Sequence, residues 1–373
     1  MAEQLQFQED KKTFQRGKMY YDLDDLSVYS RLDPQGMGDE IDALPDQLQS
    51  AWRLGQQFEL PTFSSPPQKV LIAGMGGSAI GGELAAAYLA PQSRLPVLVH
   101  RDYDLPAWVD ETTLVIASSH SGNTEETLEA FDRALQRRAR VVALTAGGEL
   151  AQRAQRQGVP LWQFEHKGQP RAAVALSFGL LLALFTRLGI VPDPTPELEA
   201  ALRTMRAQQE ELRREVPVVR NPAKRQAGQL LGRWVHVLAA DLLAPVARRW
   251  KTQINELAKA GASFEILPEA DHNTLAGLWH PETLQPLGIH LFIQAPCNHP
   301  RNLLRLELTR QTFMIEGLNT DLYRARGETP LENLWSAIHF GDYMAYYLAI
   351  ACGVDPTPVE ILENFKRSLK QRA

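Results

Sequence analysis

The stretch Ala117-Ser118-Ser119-His120-Ser121-Gly122-Asn123-Thr124 crowds hydroxyls and a glycine between an apolar run at 113–117 (TLVIA) and Glu125-Glu126-Thr127, which opens a helical pattern. A short, continuous aliphatic run ending in a turn is the signature of a strand buried on both faces, as in a parallel sheet covered by helices. The chain is thereby directed to an α/β architecture, with a strand, a loop and a helix whose first N–H groups face back onto the loop. Hydroxyl donors at the positive end of a helix dipole suit an anion, and a phosphate in particular. An ordinary N-cap would use one of these hydroxyls and have no need for the set.

A second glycine-rich turn lies upstream, where the run 69–73 (KVLIA) enters Gly74-Met75-Gly76-Gly77-Ser78-Ala79. Gly74, Gly76 and Ala79 fit a dinucleotide fingerprint, with Asp102 at a distance suited to a ribose. Ser78 and the hydroxyl cluster of the next turn fit a sugar phosphate better, because two adjacent βα turns can converge on one phosphate. Gly77, Ser78, Ser119, Ser121 and Thr124 are therefore the candidate phosphate ligands. Glycines that merely allow close helix packing are the plainer alternative.

Residues 1–67 lack a strand pattern and read as a helical arm, with a helix over 41–58 before the proline-rich break at 61–67. Strands are expected at 69–74, 96–100, 113–118, 140–145 and 159–164, then an apolar helix over 172–188. Residues 68–192 thus form a first α/β domain. A charged helix at 197–215 serves as connector within 193–216. A second βα rhythm follows over 217–353, with strands at 234–240, 264–267 and 288–295 and helices at 243–260 and 300–316. Helices over 331–352 and 356–370 close the chain, the last belonging to a C-terminal segment at 354–373.

A net charge of −5, with no block of basic residues, argues against a nucleic-acid partner. The charged N-terminus is not a signal peptide, and the apolar run at 172–188 is interrupted by Ser177, Gly179, Thr186 and Arg187, so no membrane span is expected. A cytoplasmic protein is expected, in which two cysteines, Cys297 and Cys352, serve as packing residues.

Gly74 to Gly82 followed by Ser119-x-Ser121-Gly122-Asn123-Thr124 resembles the sugar isomerase (SIS) domain. Four further stretches narrow the resemblance: Gln169-Pro170-Arg171-Ala172-Ala173, Arg249-Trp250-Lys251-Thr252-Gln253-x-Asn255-Glu256, Leu267-Pro268-Glu269-x-x-His272-Asn273, and Gly341-Asp342-Tyr343 through Gly353 to Val359. Together they resemble the bifunctional phosphoglucose/phosphomannose isomerases over residues 70–366. The resemblance implies two SIS-type α-β-α sandwich domains with parallel, flavodoxin-like sheets. It implies interconversion of glucose 6-phosphate and mannose 6-phosphate with fructose 6-phosphate, without metal or cofactor, in a homodimer with shared active sites.

By the same resemblance Glu256 is the base that carries a proton between C1 and C2. His272, from the neighbouring subunit, opens the sugar ring. Arg171 faces the enediolate oxygens, Lys366 assists at the ring oxygen with Lys370 as the close competitor, and Thr357 is linked to accepting both C2 epimers. Two positions depart from the family pattern. His120 stands where tyrosine is common, and its ring is expected to point away from the phosphate; Ala240-Asp241 replaces an aromatic-glycine pair. The other readings are a non-catalytic SIS regulator that binds a phosphosugar and a nicotinamide-dependent enzyme built on Gly74 and Gly76.

Overall fold

The computed structural model describes residues 20–63 and 65–371. Three helices come first: α1 (Leu26–Leu32), α2 (Met37–Asp42) and α3 (Leu44–Gln57). The single helix expected over 41–58 is in fact broken at Ala43. Pro45 has no N–H to extend α2, whereas its fixed φ suits the first turn of a new helix.

The first sheet is built from β1 (Lys69–Ala73), α4 (Gly76–Leu89), β2 (Val97–His100), β3 (Thr113–Ser119), α5 (Glu125–Gln136), β4 (Arg140–Thr145), α6 (Gly148–Gln157) and β5 (Leu161–Gln163). Its order is β2-β1-β3-β4-β5, and every pairing is parallel. The order reverses between β1 and β3, and crevices that bind ligands in open α/β sheets form at such a reversal, beyond the carboxyl ends of the strands. Ala73 is in register with Ala117, so the glycine turn and the hydroxyl loop leave the sheet side by side.

A 3₁₀ turn at Pro170–Ala173 leads into α7 (Val174–Arg187), followed by α8 (Thr195–Leu212) and α9 (Pro222–Leu230). The second sheet holds β6 (Trp234–Ala240), α10 (Ala244–Ala258), β7 (Ala262–Leu267), β8 (Gly288–Gln294), α11 (Pro300–Ile315) and β9 (Thr320–Arg324). It is also parallel, in the order β7-β6-β8-β9. Helices α12 (Pro330–Ala351) and α13 (Glu360–Lys370) complete the chain. The last helix starts later than the sequence pattern suggests. Pro356 and Pro358 disfavour helical geometry in the residues before them, so the turn can begin only after Val359.

Two helices explain how the sheets are joined. In α7 every residue from Val174 to Phe185 is buried, between α3 and α4. Its apolar composition reflects a place in the core. Helix α12 is buried along almost its whole length against α8, α9 and α10. Ile72 and Ile116 of the first sheet and Val235, Val237 and Leu291 of the second belong to one continuous apolar cluster.

Candidate active site

The hydroxyl loop folds around its own backbone. Ser119 Oγ lies 3.0 Å from Thr124 Oγ1 and accepts from Gly122 N–H at 3.1 Å. Asn123 N–H donates to Ser121 Oγ at 3.2 Å, and His120 N–H donates to Ser78 Oγ at 3.1 Å. That last bond joins the first turn of α4 to the loop after β3. Gly122 has φ 67°, and a Cβ there would sit 1.8 Å from the Gly147 carbonyl oxygen, so only glycine fits the turn. Ser78 and Ser119 are buried and Ser121 is exposed. Ser78, Ser119, Ser121 and Thr124 therefore gather at the carboxyl ends of β1 and β3, as their spacing predicts.

Gly77 connects this loop to a second group of residues. A Cβ on Gly77 would lie 2.5 Å from the Pro170 carbonyl oxygen and 3.4 Å from Arg171 N, so α4 abuts the 3₁₀ turn that carries Arg171. Arg171 is buried, with Nη1 3.6 Å from Glu256 Oε2 on α10. Its Nη2 donates to the carbonyls of Pro356, at 2.9 Å, and Thr357. Burial pushes the guanidinium down from its ordinary range, and Glu256 and Asp355 pull the other way. Arg171 Nε and Thr357 Oγ1 are both buried without a partner among the described residues. Orphaned polar atoms at a depth where they cost about 1–3 kcal/mol each point to a polar ligand. Arg171, Glu256 and Thr357 thus form a second cluster beside the hydroxyl loop.

Two expected residues stand apart. His272 lies exposed at the end of a 3₁₀ turn, Glu269–His272, after β7 and makes no hydrogen bond to Glu256, Arg171 or Thr357. Lys366 projects from the exposed α13 and forms no ion pair among the described residues. The ring of His120 engages His166, with Nε2 2.9 Å from His166 Nδ1.

Several contributors had no assigned role in the sequence. Lys259 follows α10 with φ 53°, and its Nζ donates to the carbonyls of Glu256, Leu257 and Asp355 at 2.7, 3.2 and 3.0 Å. Desolvation, with Arg171 nearby, pushes its ammonium down to about 8. Lys259 and Arg171 therefore fasten consecutive carbonyls of the 355–357 segment. Arg249 donates from Nε to Asp342 Oδ1 at 3.0 Å and from Nη2 to the Arg171 carbonyl at 3.1 Å. Burial pushes the Asp342 carboxyl up, and the guanidinium pulls against it. Nothing in the sequence signals the Arg249 contacts, whose partners lie on separate elements far apart in the chain.

Asp241 gives a reason for its departure from the family pattern. It sits at φ 53°, in the left-handed region that a glycine would occupy freely. Its carboxylate accepts from Asn298 Nδ2 at 3.2 Å, His299 N–H at 3.0 Å and Asn302 Nδ2 at 2.6 Å, which offsets the backbone cost and ties β6 to the start of α11.

Residues 64–157 match the family described as "SIS domain", and residues 219–369 match "Bacterial phospho-glucose isomerase C-terminal SIS domain". The bifunctional phosphoglucose/phosphomannose isomerase of Caldicellulosiruptor bescii is 36% identical over 90% of this chain and 99% of its own length. That of Aquifex aeolicus is 33% identical over 85% of this chain and 96% of its own. A hypothetical protein from Thermus thermophilus, known from its crystal structure, shares the fold with a TM-score of 0.71 at 17% identity, over 93% of this chain and 92% of its own. With its two parallel sheets, its hydroxyl loop and relatives aligned over nearly their whole length, the chain belongs to the bifunctional phosphoglucose/phosphomannose isomerase family.

Proposed function

We propose that this protein interconverts glucose 6-phosphate and mannose 6-phosphate with fructose 6-phosphate through a cis-enediolate, as a metal-independent aldose–ketose isomerase. The observation that carries the reading is the pairing of the buried Arg171 with Glu256 at 3.6 Å, beside two polar atoms without protein partners among the described residues. Ser78, Ser119, Ser121 and Thr124, with Gly77 allowing close approach, hold the phosphate. Glu256 takes the proton from C2 of the open-chain aldose and returns it to C1, and the reverse for the ketose. Arg171 opposes the negative charge on the enediolate oxygens, a fixed cation aimed where charge develops. Thr357 serves the acceptance of both C2 epimers, a role supported by its Oγ1, unpartnered among the described residues, beside Arg171.

A nicotinamide site is not favoured, because relatives aligned over nearly their whole length are phosphoglucose/phosphomannose isomerases and Ser78 of the glycine turn bonds to the hydroxyl loop, accepting from His120 N–H at 3.1 Å. The direct test is turnover by protein treated with EDTA and given no nucleotide. Fructose 6-phosphate should still be converted to glucose 6-phosphate. Activity lost on chelation and regained with zinc would overturn the proposal; tight binding of fructose 6-phosphate without turnover would favour a regulator.

The finer assignments concern the subunits. His272 moves the proton between O5 and O1 for ring opening and Lys366 assists at the ring oxygen, with His272 reaching the site of a second copy in a cytoplasmic homodimer. Exposure of His272 on its own chain supports this, as do large apolar side chains left uncovered near it and on α13, among them Trp279 at 65%, Ile361 at 78% and Phe365 at 62%. Mixed and reassembled Glu256→Gln and His272→Ala proteins, each inactive alone, should regain roughly a quarter of wild-type activity, because each hybrid dimer holds one intact site. No recovery after verified subunit exchange would place His272 within its own chain's site.

A further inference from the structure

The hydroxyl loop is held from outside by a chain of titratable side chains that isomerisation itself does not require. His120 Nε2 lies 2.9 Å from His166 Nδ1, and His166 Nε2 lies 3.1 Å from Glu40 Oε2 on α2. The three residues come from separate segments: the loop after β3, the stretch after β5, and the helical arm. Gly168 makes room for them, since a Cβ there would sit 2.6 Å from Glu40 Oε1 and 2.8 Å from His166 Cε1. Phe164 packs near the His120 ring, with centroids 5.8 Å apart. We propose that Glu40, His166 and His120 form a positioning relay that keeps the 119–124 loop in its phosphate-binding shape, a role that rests on this loop being the phosphate site.

The chemistry of the three groups supports an ordered chain. A carboxylate only accepts, so His166 turns its Nε2–H toward Glu40, which leaves one proton to be shared between His166 Nδ1 and His120 Nε2. Burial and the neighbouring His166 ring hold His120 down to about 4, so it is neutral at pH 7. The main chain of His120 is fixed as well, donating to Ser78 Oγ at 3.1 Å and accepting from Ala146 N–H at 3.1 Å. The residue between Ser119 and Ser121 is therefore tied by its backbone to α4 and to the residue that follows β4, and by its ring, through His166, to α2. A tyrosine at this position would have a single hydroxyl and could not form the same imidazole link. The stretch after β5 that carries His166 runs on to Arg171, so the relay also braces the phosphate loop against the turn that presents the arginine.

The phosphate of the substrate lies several bonds from C1 and C2, so a loosened loop weakens ground and transition states alike. KM should rise while kcat holds. Glu40→Ala and His166→Ala should each raise KM for fructose 6-phosphate about 5- to 20-fold with kcat within about twofold, the size of one lost charge-assisted hydrogen bond. Inhibition by inorganic phosphate should weaken by the same factor. Glu40→Gln, which keeps an acceptor oxygen, should recover most of the loss, and the double variant Glu40→Ala/His166→Ala should be no worse than His166→Ala. Ser121→Ala serves as the control in the same assays. If it raises both constants while Glu40→Ala and His166→Ala leave them unchanged, the relay is overturned and the phosphate loop stands. If Ser121→Ala and His166→Ala are both silent, the phosphate loop falls and the relay with it. Additive losses in the double variant would also overturn the relay.

Discussion

Glu256→Gln protein should turn over glucose 6-phosphate and mannose 6-phosphate at no more than about one hundredth of the wild-type kcat, with KM nearly unchanged. The amide matches the carboxylate in size and still presents an oxygen to Arg171, which lies 3.6 Å away in the native protein. What it removes is the ability to take and return a proton. Both epimers should fail together, because the enediolate has no stereochemistry at C2 and rotation about C2–C3 presents either face of it to one base. Steady-state rates on the two aldose phosphates decide the matter. Retention of mannose 6-phosphate turnover with loss of glucose 6-phosphate turnover would require a second base.

The largest loss of stability should follow Asp342→Ala. The carboxylate is buried in α12 against Arg249, whose guanidinium is buried too. Removing one member of such a pair strands the other charge in the core, at a cost of about 3–5 kcal/mol. Denaturant unfolding measures that loss. Because Arg249 also donates to the Arg171 carbonyl at 3.1 Å, kcat should fall as well. The double variant Arg249→Met/Asp342→Leu separates the two effects. It should recover most of the stability, since apolar replacements of a buried pair are often neutral, yet leave kcat low. Recovery of both would mean that Arg249 has no part in setting Arg171.

Much of the scaffold can be read from the sequence where an apolar run is long and bounded by turns. The strand at Trp234–Ala240 and the strand entering the hydroxyl loop are such cases. Strand β9 (Thr320–Arg324) escapes because Asp321 and Arg324 interrupt any apolar pattern, which an edge strand tolerates. Helix α9 escapes too, as a nine-residue element between the connector and β6; its start is fixed by the Asn221 side chain, which accepts from the Ala223 and Lys224 N–H groups, with Pro222 at the first position. For the site, the hydroxyl loop is legible from residue types alone, since each group sits within one turn. Glu256, Arg171 and Thr357 are not, because their meeting depends on packing between segments far apart in the chain. Family resemblance supplied those three. Lys259 illustrates what neither route shows: a lysine in left-handed geometry has no signature until the backbone carbonyls it fastens are in place.

The burial of α12 bears on how this protein comes apart. Two sheets with separate strand ladders would ordinarily be expected to melt as two units. Here the side chains of α12 and α7 lie in one apolar cluster that includes strands of both sheets, so neither sheet can lose its cover without uncovering the other. Hydrogen exchange in α7, α12 and the central strands β1, β3 and β6 should proceed only through global opening, at a single common free energy, while α13 exchanges by local fraying. A chain with the outline of two domains would then behave as one cooperative unit, and a proteolytic fragment ending near the α7–α8 connection should not survive as a folded half.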